Sequence, residues 1–383
     1  MKLKGIHVET GSAIELTISN GVVEAQRTIA HEQNLPFIST GFYDLQVNGY
    51  RGIDYSSETL TASDMERLVY ALAESGTTRH VPTIITNSRE RISKNLSIIA
   101  KAVKASPLLQ RAIPAIHVEG PFISSIDGPR GAHDAKYVRD PSIEEMNEWI
   151  ESAQGLLKVV TLAPERAGAI DFIKVAVQQG ITIAIGHSAA SPDDIAAAVA
   201  AGATLSTHLG NGSHAELPRL KNYLWEQLAN DNLHAGIIAD GYHLPPSFMK
   251  VLRRTKGLDH IILVSDVAPI GGSEPGTYRW GDISTEVHPD GHISLAGTPF
   301  LAGAGHLLDR CIAQFANATG ESLDRIIPLA TTNGENLLNM QDRASLEPGS
   351  PVNITVFKWQ IGEEQIEIER TLLGSVELYR KAT

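Results

Sequence analysis

Between residues 42 and 265 one pattern recurs eight times: a short apolar, β-branched run followed by a longer amphipathic stretch. The runs are Phe42 to Gln46, Thr78 to Thr83, Ala112 to Val118, Lys158 to Leu162, Thr182 to Gly186, Thr204 to His208, Gly236 to Ala239 and His260 to Ser265. Between them the 3.6-residue period predicts helices at Ser63 to Ser75, Arg89 to Ala105, Ser142 to Ala153, Ala167 to Gln179, Pro192 to Ala201, Pro218 to Asn230 and Pro245 to Thr255. A further helix is expected at Ala302 to Asn317. Several carry start signals, such as Thr61-Ala62-Ser63-Asp64 and Ser191-Pro192-Asp193-Asp194. Parallel strands need crossover connections, and helices supply them. Eight such units over roughly 300 residues are the expectation for an α/β fold of the (β/α)8 TIM-barrel type. A doubly wound open sheet is the alternative, because counting strands does not prove closure.

The two ends differ from this middle. Leu3 to Val8, Ala13 to Ser19 and Gly21 to Gln26 read as strands, with Asn20-Gly21 as a hairpin turn. Asn353 to Trp359, Gln365 to Arg370 and Leu372 to Tyr379 read the same way, set off by Glu347-Pro348-Gly349. The expectation is a small β-sandwich domain built from residues 1–40 and 346–383, flanking a barrel of 41–345. A chain of 383 residues with 42% hydrophobic content can fill both cores.

The formal charge of −12 and the lack of any Lys/Arg run exclude nucleic acid as an expected partner. No stretch approaches the ~20 apolar residues of a membrane span, and the first residues lack the apolar core of a signal peptide. Cys311 is the sole cysteine, so no internal disulfide can form, and a cytoplasmic location is expected. Neither Gly271-Gly272-Ser273 nor Gly303-Ala304-Gly305 has the spacing of a phosphate-binding loop.

In a barrel, chemistry collects where the strands end. Those ends are polar throughout: Gln46 and Asn48, His117 and Glu119, Glu165, Gly186-His187-Ser188, Thr207-His208, Asp240 and His243, and Asp266. The stretch Ile116-His117-Val118-Glu119-Gly120-Pro121-Phe122 delivers a carboxylate directly to a Gly-Pro stop. Two histidines on adjacent strands, with one Glu and a terminal Asp, point to a metal site. The ligands expected are Glu119, His187 and His208, leaving an open position on Zn²⁺, Fe²⁺ or another divalent ion. Such an ion lowers the pKa of a bound water from about 15.7 towards ~7. Asp266 is the expected base; a lone Asp after a strand also reads as an Asx turn. His117 is expected beside the site rather than in the ligand set, and Glu165 is expected to be structural.

Taken in order, Gly41-Phe-Tyr-Asp-Leu-Gln-Val-Asn-Gly49, His117-Val-Glu-Gly-Pro-Phe122, Gly131-Ala-His133, Thr161-Leu-Ala-Pro-Glu165, Gly186-His-Ser188, Thr207-His-Leu209, Ile238-Ala-Asp-Gly-Tyr-His243 and Ser265-Asp266 resemble the N-acetylglucosamine-6-phosphate deacetylases of the amidohydrolase superfamily. The resemblance implies a two-domain enzyme, usually a homodimer, that takes acetate from N-acetyl-D-glucosamine 6-phosphate and leaves D-glucosamine 6-phosphate. It places the metal on Glu119, His187 and His208 and gives Asp266 the acid/base role, with His133 assisting at the carbonyl oxygen. Substrate contacts fall on His133, Asn211, Gly212, His243 and the turn Leu295-Ala296-Gly297, and a phosphate-binding Arg219 would reach the neighbouring subunit's site. Many amidohydrolases carry His-x-His on the first strand and hold two metals; here Gln46-Val47-Asn48 stands instead, and amides are poor ligands, so one ion per subunit is expected, with zinc first.

Two loops depart from the family pattern. Its usual Asn-Ala-Met is replaced by Asn211-Gly212-Ser213-His214, and its Gly-Arg-Glu-Pro surroundings by Glu216-Leu217-Pro218-Arg219-Leu220. These loops hold the phosphate in the family. Alternatives are therefore an amidohydrolase for another N-acylated amino sugar, such as a galactosamine relative or an unphosphorylated sugar, or for an N-acyl amino acid; a barrel that only binds is the third.

Overall fold

The computed structural model describes residues 1–281 and 283–382. Thr383, the last residue of the expected terminal domain, lies outside the described residues. All eight expected runs are strands of one parallel sheet: Phe42–Val47, Thr77–Ile85, Ile116–Glu119, Leu157–Leu162, Thr182–Ile185, Leu205–Ser206, His234–Ile237 and Ile261–Leu263. The sheet order follows the chain order, with the first and last strands at its two edges. Those edges meet. Asp266 N donates to the Gln46 carbonyl at 2.9 Å, Asn48 N donates to the Val267 carbonyl at 3.1 Å, and Val47 bridges Val267 in parallel. That seam makes the sheet a barrel and removes both open edges.

Alternation sorts the strand side chains. Leu45, Val81, Val159, Ala184, Leu205 and Ile262 point inward and fill the barrel, while Val118, Val160, Leu162, Ile183 and Ile185 point out to the helices. Trp149 and Phe172 come from the helices Ile143–Ala153 and Ala169–Gln178 and pack on Phe122, with ring centres 5.1 and 5.3 Å from it. Because the interior is filled, the polar strand ends are left at the C-terminal mouth.

Local chemistry explains where boundaries differ from expectation. The third strand starts at Ile116 rather than Ala112, since Ser106 caps a helix at Pro107–Ala112 with proline in its first turn. The helix expected from Pro218 begins only at Tyr223, where the Asn222 side chain accepts from Leu224 N and Trp225 N. The helix expected from Ala302 begins at Leu308. Before it, Ala302 N donates to the Ile293 carbonyl, Ala268 N donates to the Ala304 carbonyl, and Gly303 bends at φ 74°, so the backbone of residues 302–304 is taken up by strand contacts and a turn. A three-stranded antiparallel sheet of Gly276–Trp280, Ile283–Val287 and Ile293–Leu295, absent from the expected pattern, is inserted after the last barrel strand.

The ends form one seven-stranded sheet. Lys2–His7, Ala13–Ser19, Val22–Thr28 and Phe37–Thr40 join Asn353–Lys358, Glu367–Leu373 and Val376–Arg380, with Phe37–Thr40 and Asn353–Lys358 side by side. Leu372 belongs to the middle strand of the tail rather than to its last one. The sheet folds over as a sandwich does: Val23 N donates to the Ser350 carbonyl at 3.0 Å, enclosing Leu16, Ile38, Ile354 and Leu372. The turn Asn20-Gly21 has φ of 49° and 76°, the left-handed pair a tight hairpin needs.

Candidate active site

Glu119 is the last residue of its strand, and Gly120, at φ 78°, turns the chain away immediately. His187, His208 and Asp266 each follow a strand end, and each has left-handed backbone, at φ 51°, 29° and 50°. For non-glycine residues this conformation costs about 1–3 kcal/mol each, and surrounding structure must hold it. The bend turns all three side chains into the mouth instead of along the strand direction.

There the donors converge. Glu119 Oε1 lies 3.1 Å from His208 Nε2 and 3.2 Å from His187 Nε2, and the two Nε2 atoms are 3.0 Å apart. His133 Nε2 approaches His187 Nε2 to 3.2 Å. Glu119, His133 and His187 each offer an atom within 4.8 Å of the others. His187 Nδ1 donates to the Pro129 carbonyl at 2.9 Å, which leaves its Nε2 as a lone pair. Gly131 and Gly212 flank the same ring; a Cβ on Gly212 would sit 2.8 Å from His187 Nδ1. Burial opposes charge on Glu119, yet the two imidazoles facing it hold its carboxyl well below the usual carboxylate range. Burial and the nearby His187 push His133 down to about 3, so it is neutral; its Nδ1 is 2.7 Å from Thr86 Oγ1.

The seam residues serve this cluster. Gln46 Nε2 donates to Glu119 Oε1 at 3.0 Å, and Asn48 Nδ2 donates to Asp266 Oδ1 at 2.8 Å. Burial, with the charge of Glu119, pushes the Asp266 carboxyl up to about 6, against the pull of His208, Asn48 and His243. His117 faces another way: its Nε2 is 2.7 Å from Thr161 Oγ1, which is 2.7 Å from Thr207 Oγ1. Glu165 accepts from Ser188 Oγ and Ala189 N, fastening the loop behind His187. The orienting contacts of Pro129 and Thr86 had no sequence signal, since one is a backbone carbonyl and the other a threonine one residue past the strand Thr77–Ile85.

The expected substrate residues are spread more widely. Asn211, Gly212 and Ser213 line a small, partly open cleft beside His187. His243 is tied to Asp240 at 2.8 Å. Leu295, Ala296 and Gly297 end the inserted sheet, and among the described residues no hydrogen bond joins them to the four converging donors. Arg219 is exposed in the loop before the Tyr223 helix, beside Leu220, which is 73% exposed.

His187 Nε2, left as a lone pair, converges with His208 Nε2 and a Glu119 carboxylate oxygen at 3.0–3.2 Å, a set of two ring nitrogens and one oxygen around a single point. On donor chemistry Glu119, His187 and His208 therefore fit a divalent ion. A cluster of donors able to hold a metal stands at the closed mouth of the (β/α)8 barrel, and the model of the amidohydrolase family matches residues 37–376: the chain belongs to that family. Within it, the chain falls among the N-acetylglucosamine-6-phosphate deacetylases. It is 30% identical over 367 residues to the N-acetylglucosamine-6-phosphate deacetylase of Bos taurus, covering 92% of this chain and 88% of that protein. It is 26% identical over 363 residues to the N-acetylgalactosamine-6-phosphate deacetylase of Escherichia coli O157:H7, covering 94% of each. A structure of a mutant N-acetyl-D-glucosamine-6-phosphate deacetylase from Mycobacterium smegmatis, in complex with N-acetyl-D-glucosamine-6-phosphate, superposes with a TM-score of 0.86 at 25% identity over 99% of both chains.

Proposed function

We propose that this chain hydrolyses the acetamide of N-acetyl-D-glucosamine 6-phosphate to D-glucosamine 6-phosphate and acetate. The observation that carries the reading is the convergence of Glu119, His187 and His208 beside a buried Asp266. Glu119, His187 and His208 are the residues to hold one divalent ion, with zinc preferred by an N/O ligand set of this kind. When bound, the ion supplies Lewis acidity to water and to the carbonyl. Asp266 takes a proton from the attacking water, whose oxygen bonds to the acetyl carbon; the C–N bond then breaks as Asp266 returns a proton to the amine. Neutral His133 is placed to donate to the developing oxyanion, with its other nitrogen held by Thr86.

Asn211, Gly212, His243 and Leu295–Gly297 are the proposed sugar contacts. Arg219 is proposed to bind phosphate in the partner subunit's site of a homodimer; its exposure beside Leu220 and Trp225, which are 73% and 47% exposed, supports that reading. We take residues 1–40 with 346–383 as one unit and 41–345 as the catalytic one. A cytoplasmic enzyme is the matching location, Cys311 being the lone cysteine.

The test is acetate release from N-acetylglucosamine 6-phosphate, N-acetylgalactosamine 6-phosphate and unphosphorylated N-acetylglucosamine. A preference for the first, lost in Arg219→Ala, supports both substrate class and shared site. Preference for the galactosamine compound would favour the second reading, which the likeness to the Escherichia coli enzyme and the altered Asn211–His214 loop keep open.

A further inference from the structure

The turn after the seventh barrel strand is more tightly built than a connection to the next helix requires. Asp240 Oδ1 accepts the backbone N–H groups of Tyr242 and His243 at 2.9 and 3.0 Å, an ordinary Asx turn. Its second oxygen is spent differently: Oδ2 lies 2.8 Å from His243 Nδ1, with the two side chains only 2% and 6% exposed. The turn does not need that third bond. Burial opposes ionisation of Asp240, but the bonds from His243 outweigh it and hold the carboxyl at about 2.

The turn is also clamped from outside. Arg310 Nε donates to the Asp240 carbonyl at 2.8 Å, and its guanidinium lies 5.5 Å from the Tyr242 ring centre. Tyr242 stacks on His292 at 4.9 Å and on His306 at 5.4 Å, and His292 stacks on His288 at 3.9 Å. The inserted sheet and the helix Leu308–Thr319 thus grip the peptide that carries Asp240, so its carboxylate has one position. His243, the ring it holds, also interacts electrostatically with Asp266.

We propose that Asp240 is a positioning residue for the hydrolytic reaction: by accepting the Nδ1 proton of His243 it fixes that ring's tautomer and orientation, so that Nε2 is the atom presented to a sugar hydroxyl of the substrate. The inference rests on the deacetylase reading for its substrate, but the position of the proton can be measured without turnover. Asp240→Asn keeps an oxygen for the Asx turn and turns an N–H towards Nδ1, so the proton must leave that nitrogen. Losing one oriented hydrogen bond to substrate corresponds to roughly a tenfold effect.

The experiment uses the full-length, metal-loaded enzyme. Asp240→Asn should raise KM for N-acetylglucosamine 6-phosphate about tenfold, change kcat less, and leave metal content and melting temperature unchanged. In a His243→Ala background the same substitution should change kcat/KM less than about twofold, because the residue acts through that ring. In ¹⁵N-histidine NMR, the signal missing from His243→Ala should show a protonated Nδ1 in wild type and in Asp240→Glu, and an unprotonated one in Asp240→Asn. Equal losses in both backgrounds, or an unprotonated Nδ1 in wild type, would overturn the proposal. A wild-type enzyme without acetate release would count against the deacetylase reading, and the proton position would still decide the role of Asp240.

Discussion

Asn48 donates its side-chain N–H to Asp266 across 2.8 Å, at the seam where the first barrel strand meets the end of the last. Two residues earlier, Gln46 makes the equivalent bond to Glu119. An amide that points its N–H at a carboxylate cannot offer the same atom to a cation. The Gln46/Asn48 pair therefore works as two hydrogen-bond donors, one for each acid of the site, where His-x-His would place ligands.

A donor on Asp266 favours its ionised form, which is the form a base needs. Burial and Glu119 push that carboxyl up to about 6, and Asn48 pulls against them. Asn48→Ala should therefore move the acid limb of the kcat/KM profile to higher pH, so that activity falls more at pH 6 than at pH 8. Profiles measured side by side check this; an unmoved acid limb would remove Asn48 from the protonation of Asp266.

Metal holding and proton transfer should separate in two variants. Glu119→Gln should lower bound metal by elemental analysis, since an amide replaces the carboxylate oxygen on which two imidazoles converge. Asp266→Asn should keep the metal and lose on the order of 10²–10⁴ in kcat, the range for a positioned general base. Unchanged metal in the first, or near-wild-type turnover in the second, would reassign the residue concerned.

Much of this site was readable because its information is local. A β-branched run such as Thr182 to Ile185 that stops at Gly186-His187 is visible in a few residues, and so is a Glu before Gly-Pro. Closure was not readable, because the bonds of Gln46 and Asn48 to the last strand join residues more than 200 positions apart. The inserted sheet did leave a signal: Ile283, Thr285 and Val287 alternate with Ser284 and Glu286, ahead of a turn at Pro289-Asp290-Gly291. Gly271-Gly272-Ser273 and Gly303-Ala304-Gly305 flank it with a composition that loops share. The helix expected from Ala302 shows the same hazard, since an apolar, small-residue run carries helical character until a neighbouring strand claims its backbone.

Gly212 is expected to matter for metal affinity even if it never touches sugar. A Cβ there would lie 2.8 Å from His187 Nδ1, and the residue sits at φ 55°. Gly212→Ala should push the imidazole off the Pro129 carbonyl and weaken metal binding about 10–100-fold, the scale for losing a ligand's orienting contact. Competition with a chelating dye measures it. Unaltered metal affinity with a raised KM would assign Gly212 to the substrate alone.

Stability should carry a pH signature from a group outside the converging donors. Asp309, buried in the first turn of the helix Leu308–Thr319, accepts from Gln365 and Arg310 N, but burial pushes its carboxyl up to about 7 from 3.8. The folded state thus holds the proton more tightly than the unfolded chain. Below about pH 4 the carboxyl is protonated in both states and contributes no difference; as pH rises towards 7 the unfolded chain ionises first, and stability is lost. Above 7 the penalty is full, on the order of a few kcal/mol. Asp309→Asn removes the titration, and Gln365 can turn its amide to accept from the new side chain. The variant's advantage over wild type in urea unfolding should therefore grow from pH 5 to pH 8. An equal difference at both values would mean that Asp309 does not change its protonation on unfolding.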